Sequence, residues 1–263
     1  MAESLIAGLI ADGMAGEQIC VADPDNSKCE RLNHKYGIRT TADNHHATKS
    51  SDILVLAVKP QMLDTVCLQL ASAIEAQRHL VLSVLAGIRV ETLNAKLNKD
   101  VAVIRAMPNT PAMLQTGATA LFANNSISQK HKEEAEFIMR AVGLTIWVDD
   151  ESHMDIVTAL SGSGPAYFFL LMEVLEKSAA KLGLPQQTAH LLTLQTALGA
   201  AKMALESQED CEVLRKRVTS PGGTTEKALA KLFDAEIETL YFQALSAAQQ
   251  RSIELADLLS GKS

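Results

Sequence analysis

Apolar positions follow two regimes along this chain. Up to about residue 150, short continuous apolar runs alternate with stretches in which apolar residues recur at helical spacing. Leu5, Ile6, Leu9 and Ile10 predict an opening helix over residues 4–10. Residues 19–22 predict a strand that ends at Asp23-Pro24-Asp25, followed by a helix through Cys29, Leu32 and Tyr36 that Gly37 closes. The run 53–58 is apolar throughout, as expected of a parallel strand buried on both faces. Further strands are predicted over 80–85, 101–106, 118–123 and 144–148, with a helix over 129–142.

After Asp149-Asp150-Glu151 the strand signals stop. Ser161-Gly162-Ser163-Gly164-Pro165 reads as a tight turn that feeds a helix over about 166–182, with Pro165 in its first turn. Helices over about 186–205, 209–217 and 235–259 follow, and another starts after Pro221-Gly222-Gly223, capped by Thr224 or Thr225. The pattern predicts an α/β Rossmann-like domain over residues 1–150 and an all-α domain over 151–263. The long apolar faces of the second domain fit a homodimer interface, and dimers of this kind can associate further.

Composition narrows the function classes. The chain has 263 residues, 47% of them hydrophobic but only 4% aromatic, so its core is built from Ala, Leu, Val, Ile and Met. The net charge of -7, with no compensating Lys/Arg block, argues against a nucleic-acid partner. No signal peptide is visible, and no apolar run is expected to reach membrane-spanning length. Cys20, Cys29, Cys67 and Cys211 have neither metal nor disulfide spacing and read as reduced thiols of a cytoplasmic protein. The histidines are scattered and no metal set is expected. No nucleophile–base pairing stands out either, which fits hydride transfer, where a nicotinamide supplies the reactive hydride.

The most informative stretch is Val218-Thr219-Ser220-Pro221-Gly222-Gly223-Thr224-Thr225-Glu226-Lys227. A glycine-rich entry to a helix presents backbone N–H groups at the positive end of a helix dipole, a site for a carboxylate. This stretch resembles the signature of the pyrroline-5-carboxylate reductase family. Ala57-Val58-Lys59-Pro60, Arg105-Ala106-Met107-Pro108-Asn109-Thr110-Pro111 and Ser161-Gly162-Ser163-Gly164-Pro165-Ala166-Tyr167 match the family in the same order. The resemblance implies NADPH- or NADH-dependent reduction of 1-pyrroline-5-carboxylate to L-proline, at a site between the two domains that a dimer completes. Gly222, Gly223 and Thr224 would then hold the substrate carboxylate through their backbone N–H groups, with Ser220 also at the substrate. Thr225 would be the catalytic residue, its hydroxyl near the substrate nitrogen. Ser161 and Ser163 would wall the other side.

On the cofactor side, the carboxyl ends of parallel strands are where such folds bind ligands. Ala57, Val58, Lys59, Pro60, Ala86 and Asn109 are therefore expected to border the dinucleotide, Lys59 through its backbone. Asp23 has two readings, a ribose contact or a turn residue before Pro24. Asn44 falls where the family often places an adenosine contact. A chain of this class is expected to open with a strand and a glycine-rich loop. Here Met1 and Ala2 stand where the resemblance puts the last residues of that loop, so the expected fold lacks its first strand. Two other readings compete: a fold relic that dimerises without binding cofactor, and a β-hydroxyacid-type dehydrogenase using Lys177, Lys181 or Lys202.

Overall fold

The structure is a computed structural model that describes residues 1–124 and 127–260. The chain divides into two compact units, Met1–Ser163 with Ala247–Ser263, and Gly164–Ser246.

The first unit is a layered α/β structure. Its main sheet contains β3 (Ile53–Leu56), β4 (Leu80–Ser83), β5 (Ala102–Met107), β6 (Gly117–Ala123) and β7 (Gly143–Trp147), side by side in that order. The pairs β3–β4, β4–β5 and β6–β7 are parallel, and β5–β6 is antiparallel. Strand β4 shows why the run 80–83 is wholly apolar apart from Ser83. Val81 packs with α4 (Leu63–Ala71) and α5 (Val90–Leu97) on one face. Leu80 and Leu82 pack with α1 (Ala2–Ala11) and α6 (Gln129–Arg140) on the other. Successive side chains point to opposite faces, and both faces are covered.

A second sheet is separate. β1 (Cys20–Ala22) pairs in parallel only with β2 (Arg39–Thr41). Asp25 caps α2 (Asn26–Tyr36) by accepting from the Ser27 and Lys28 N–H groups, and Gly37 at φ 66° closes it in the left-handed conformation. β2 and α3 (Asn44–Lys49), like α4 and α5, are short or weakly periodic and were not expected from the sequence. The expectation that the strand from Ile53 is buried on both faces needs correction. Among the described residues β3 pairs only with β4, and Val55 remains 38% exposed because this strand is a sheet edge.

Two polar ties, the first of them buried, fasten the end of α12 (Ile237–Ser260) within the first unit. The Ser252 hydroxyl donates to Asp155 Oδ1 at 2.7 Å, and Arg89 pairs with Asp257 at 3.0 Å. Asp155 lies on α7 (His153–Val157), and Arg89 is the N-cap of α5.

The predicted tight turn at Ser161-Gly162-Ser163 is also corrected. Thr158–Gly162 is a π-helical turn, closed by the Ser163 N–H donating to the Thr158 carbonyl at 2.9 Å. The apolar helical segment His153–Lys181 comprises α7, this turn and α8 (Gly164–Lys181). By length and composition this helix is long enough and apolar enough to cross a membrane, contrary to the reading of the sequence.

The second unit is helical. α8 packs against α9 (Gln186–Glu206), and α10 (Cys211–Arg217) and α11 (Thr224–Asp234) follow. Phe168, Leu171 and Leu175 on α8, and Leu191, Leu194 and Leu198 on α9, leave apolar surface exposed at helical spacing.

Candidate active site

The signature stretch forms a type II turn that leads into α11. Ser220 accepts through its carbonyl from the Gly223 N–H at 3.0 Å, with Pro221 and Gly222 as the central residues. Gly222 has φ +72°, the conformation this turn needs at that position. A Cβ on Gly223 would come within 2.9 Å of the Ser220 carbonyl oxygen, so both glycines are required by geometry. Gly223 is the N-cap of α11 and no side chain caps the helix, which corrects the expectation that Thr224 or Thr225 does so. The first helical backbone bond from this end runs from the Lys227 N–H to the Gly223 carbonyl at 3.3 Å. The N–H groups of Thr224 and Thr225 therefore have no partner within the helix.

The Gly222 and Gly223 N–H groups are engaged inside the loop. Gly222 donates to Glu226 Oε2 at 2.7 Å, and Gly223 to Ser220 as above. Glu226 escaped the reading of the sequence, although its place three residues after the N-cap is where a carboxylate reaches back over a helix start. On the α10 side of the loop a cavity of about 300 Å³ is lined by Arg215, Lys216, Thr219, Glu226, Leu229 and Phe233. Arg215 lies over the Phe233 ring at 5.1 Å, and Thr224 and Thr225 do not line this cavity.

In the first unit, Asn109 and Ser161 meet. Asn109 Oδ1 accepts from the Ala118 N–H at 2.9 Å, and Asn109 Nδ2 donates to the Ser161 carbonyl at 3.2 Å. The Ser161 hydroxyl oxygen is buried without a hydrogen-bond partner, the condition of a polar atom that a ligand can satisfy. Ser163 spends its N–H on the π turn.

The residues expected to border a dinucleotide occupy loop and helix-start positions of the first unit. Ala57, Val58, Lys59 and Pro60 follow β3, Ala86 follows β4, and Asn109 follows β5. Lys59 is exposed and is the N-cap of a short 3-10 turn. Met1 is the N-cap of α1 with no side-chain cap, and the first backbone bond there is from the Leu5 N–H to the Met1 carbonyl at 3.1 Å. The donors of Ala2, Glu3 and Ser4 have no helical partner and suit an anionic phosphate. Asp23 Oδ1 accepts from the Asp25 N–H at 2.9 Å, and its other oxygen lies 3.5 Å from Lys28 Nζ. Asn44 donates to Gln69 Oε1 at 2.6 Å. Small side chains at strand ends and free donors at a helix start fit a bound dinucleotide. Lys177 and Lys202 pair with Glu173 and Glu206 on the surfaces of their own helices. No group of three metal-ligating side chains forms among the described residues.

Residues 151–255 match the family model for pyrroline-5-carboxylate reductase dimerisation, and residues 1–87 match that for NADP oxidoreductases, coenzyme F420-dependent. The chain is 47% identical to a pyrroline-5-carboxylate reductase of Pseudomonas aeruginosa over 98% of its own length and 94% of the relative's. The chain belongs to the pyrroline-5-carboxylate reductase family. Among solved structures, the reductase of Coxiella burnetii superposes with a TM-score of 0.94 at 45% identity, covering 97% of this chain and 94% of that one. A Plasmodium falciparum pyrroline carboxylate reductase with NADP bound superposes with a TM-score of 0.83 at 25% identity, covering 97% and 94%. These likenesses bear out the α/β Rossmann-like and helical fold class and the reading as a reductase of this family.

Proposed function

We propose that this chain reduces 1-pyrroline-5-carboxylate to L-proline with NADPH or NADH, the last step of proline biosynthesis. The observation that carries the proposal is the uncapped start of α11 behind the Ser220-Pro221-Gly222-Gly223 turn. The substrate is an anion with a ring nitrogen close to its carboxylate. The N–H groups of Thr224 and Thr225 at the positive end of a helix suit the carboxylate, and Ser220, Gly222 and Gly223 shape the turn that exposes them. The Thr225 hydroxyl serves the ring nitrogen. A threonine hydroxyl is too weak an acid to be the final proton source, so the substrate arrives protonated or is protonated through water.

Reduction adds a hydride to the imine carbon and a proton to the nitrogen, converting C=N to CH–NH. The bound reduced nicotinamide supplies the hydride. Met1, Ala2, Asp23, Asn44, Ala57, Val58, Lys59, Pro60, Ala86 and Asn109 are the residues proposed to hold the dinucleotide. Ser161 and Ser163 complete the substrate wall, Ser161 through its unpartnered hydroxyl. Residues 1–150 act as the dinucleotide-binding domain and 151–263 as the dimerisation and substrate domain. The protein works in the cytoplasm as a homodimer that can assemble further, with neither nucleic acid nor membrane as a partner.

The test is direct. The purified chain is mixed with 1-pyrroline-5-carboxylate and NADPH or NADH, and nicotinamide oxidation is followed together with proline formation. Cofactor oxidation matched by proline supports the proposal, and no proline with either cofactor overturns it. Turnover on a hydroxyacid instead would favour the dehydrogenase reading.

A further inference from the structure

We infer that Glu226 is a positioning residue that sets the peptide orientation of the signature turn and, through it, affinity for the substrate carboxylate. This rests on the site reading above. The central peptide of a β-turn has two orientations, which distinguish types I and II. Gly222 permits both, since it has no Cβ to bar either. With Gly222 at φ +72°, the turn is type II, and the N–H of that central peptide donates to Glu226 Oε2 at 2.7 Å. A flipped peptide would bring the Pro221 carbonyl to the place the N–H now occupies, facing a carboxylate. Glu226 thus selects type II by attraction to the N–H and by repulsion of the carbonyl.

The consequence reaches the substrate because the loop is short. Gly223 is both the last residue of the turn and the N-cap of α11, so the Gly222 N–H that Glu226 holds lies only two residues before the Thr224 donor and three before that of Thr225. A turn that samples both orientations moves its carbonyl dipoles and blurs the aim of those donors. Glu226 itself is on the surface of α11, so replacing it leaves no hole in a core.

The experiment compares steady-state kinetics of the wild-type chain, Glu226→Ala, Glu226→Gln and Thr225→Ala, with thermal unfolding of each. Glu226→Ala is expected to raise KM for 1-pyrroline-5-carboxylate about tenfold, the size of one net hydrogen bond, with KM for the nicotinamide cofactor unchanged. Glu226→Gln keeps an acceptor oxygen and is expected to restore most of the loss. A wild-type KM in Glu226→Ala, a lowered KM, or no rescue by glutamine overturns the inference. If Thr225→Ala is impaired while Glu226→Ala is not, only the role of Glu226 falls. If neither variant is impaired, the signature turn is not the substrate site, and the reading beneath this inference falls with it.

Discussion

Asn109 Nδ2 donates to the Ser161 carbonyl at 3.2 Å, and the sequence contains the reason this carbonyl is available. In an α-helix the Ser161 carbonyl would accept from the N–H four residues later, but residue 165 is proline and has none. The helix answers with a π turn over Thr158–Gly162, and Asn109 supplies the missing donor from the loop after β5. Two motifs distant in sequence, Met107-Pro108-Asn109 and Ser161-Gly162-Ser163, are thereby held together. A Cβ on Gly162 would lie 2.5 Å from Met107 Cε, so the Met107 side chain packs directly against this junction.

Asn109→Ala should therefore act first on stability. It removes the acceptor for the Ala118 N–H and the donor to Ser161 together. Leaving partly buried backbone groups unpaired costs about 1–3 kcal/mol each, so a loss of at least about 1 kcal/mol is expected. Chemical denaturation of the full chain measures it. An unchanged midpoint would mean that water replaces the amide at both ends.

Thr225→Ala should lower turnover on the pyrroline substrate and leave cofactor affinity nearly unchanged. The hydroxyl is proposed to meet a nitrogen at which positive charge is held, and such a hydrogen bond is worth about 1.5–3 kcal/mol. That corresponds to roughly a 10- to 150-fold loss in kcat/KM. Wild-type turnover in the variant would remove Thr225 from the chemistry.

Assembly is tested on α9. Leu191, Leu194 and Leu198 share one exposed stripe within the region that matches the dimerisation model. Leu198→Glu puts a carboxylate on that stripe, and burying it unpaired costs several kcal/mol, about enough to weaken a dimer strongly. Light scattering at micromolar concentration should show a dimer for the wild type and a monomer for the variant. A variant that stays dimeric places the interface elsewhere.

The order of elements and the two chemical motifs were legible because they rest on local rules. Continuous apolar runs marked β4 and β5, period-3.6 patterns marked α6 and α9, and proline–glycine chemistry marked the turn at Pro221-Gly222. The misses have physical causes. β2 has three residues, Arg39, Thr40 and Thr41, and a strand so short carries no period. The π turn was read as a loop because Gly162, Gly164 and Pro165 are loop formers, while its actual support, Asn109, lies far away in sequence. Exposure of Val55 depends on which strands are neighbours, and a one-dimensional pattern does not contain that. Glu226, Arg105 and Glu151 do their work through one or two tertiary or cross-turn bonds each, which spacing alone does not reveal.

Glu3 gives a pH-dependent prediction. Its carboxyl is lowered to about 2, first by hydrogen bonding to Arg31 and then to Lys35 on α2. A carboxyl lowered in the fold contributes stability that is complete above its unfolded value of 4.5 and is lost as pH falls toward about 2. The side chains are 37–55% exposed, so solvent screening limits the contribution to about 0.2–1 kcal/mol. Glu3→Gln should unfold at a lower temperature than the wild type at pH 7. The gap should close as pH falls from about 4.5 toward 2, the window set by this shift. A gap that does not depend on pH would show that the α1–α2 tie is not ionic.

The largest stability effect is expected at Glu151. The acidic triplet Asp149-Asp150-Glu151 marks the domain change in the sequence, yet its last member ties two elements of the first unit together. Glu151 Oε1 accepts from Arg105 Nη1 at 3.2 Å and from the Val90 N–H, in the first turn of α5, at 2.9 Å. Arg105 lies on β5 and its side chain is only 2% exposed, while that of Glu151 is 23% exposed. Arg105 Nη2 is already buried without a partner, so the guanidinium depends on this one carboxylate. Glu151→Ala leaves a buried cation uncompensated and the start of α5 without its acceptor. Breaking a buried pair from one side costs about 3–5 kcal/mol. Glu151→Gln keeps an oxygen for Val90 and loses the charge, so its cost should be smaller, and Arg105→Met with Glu151→Gln should recover part of the loss. Denaturant unfolding of the three variants provides the measurement. Equal midpoints for Glu151→Ala and the wild type would mean that Arg105 finds another partner or reaches water.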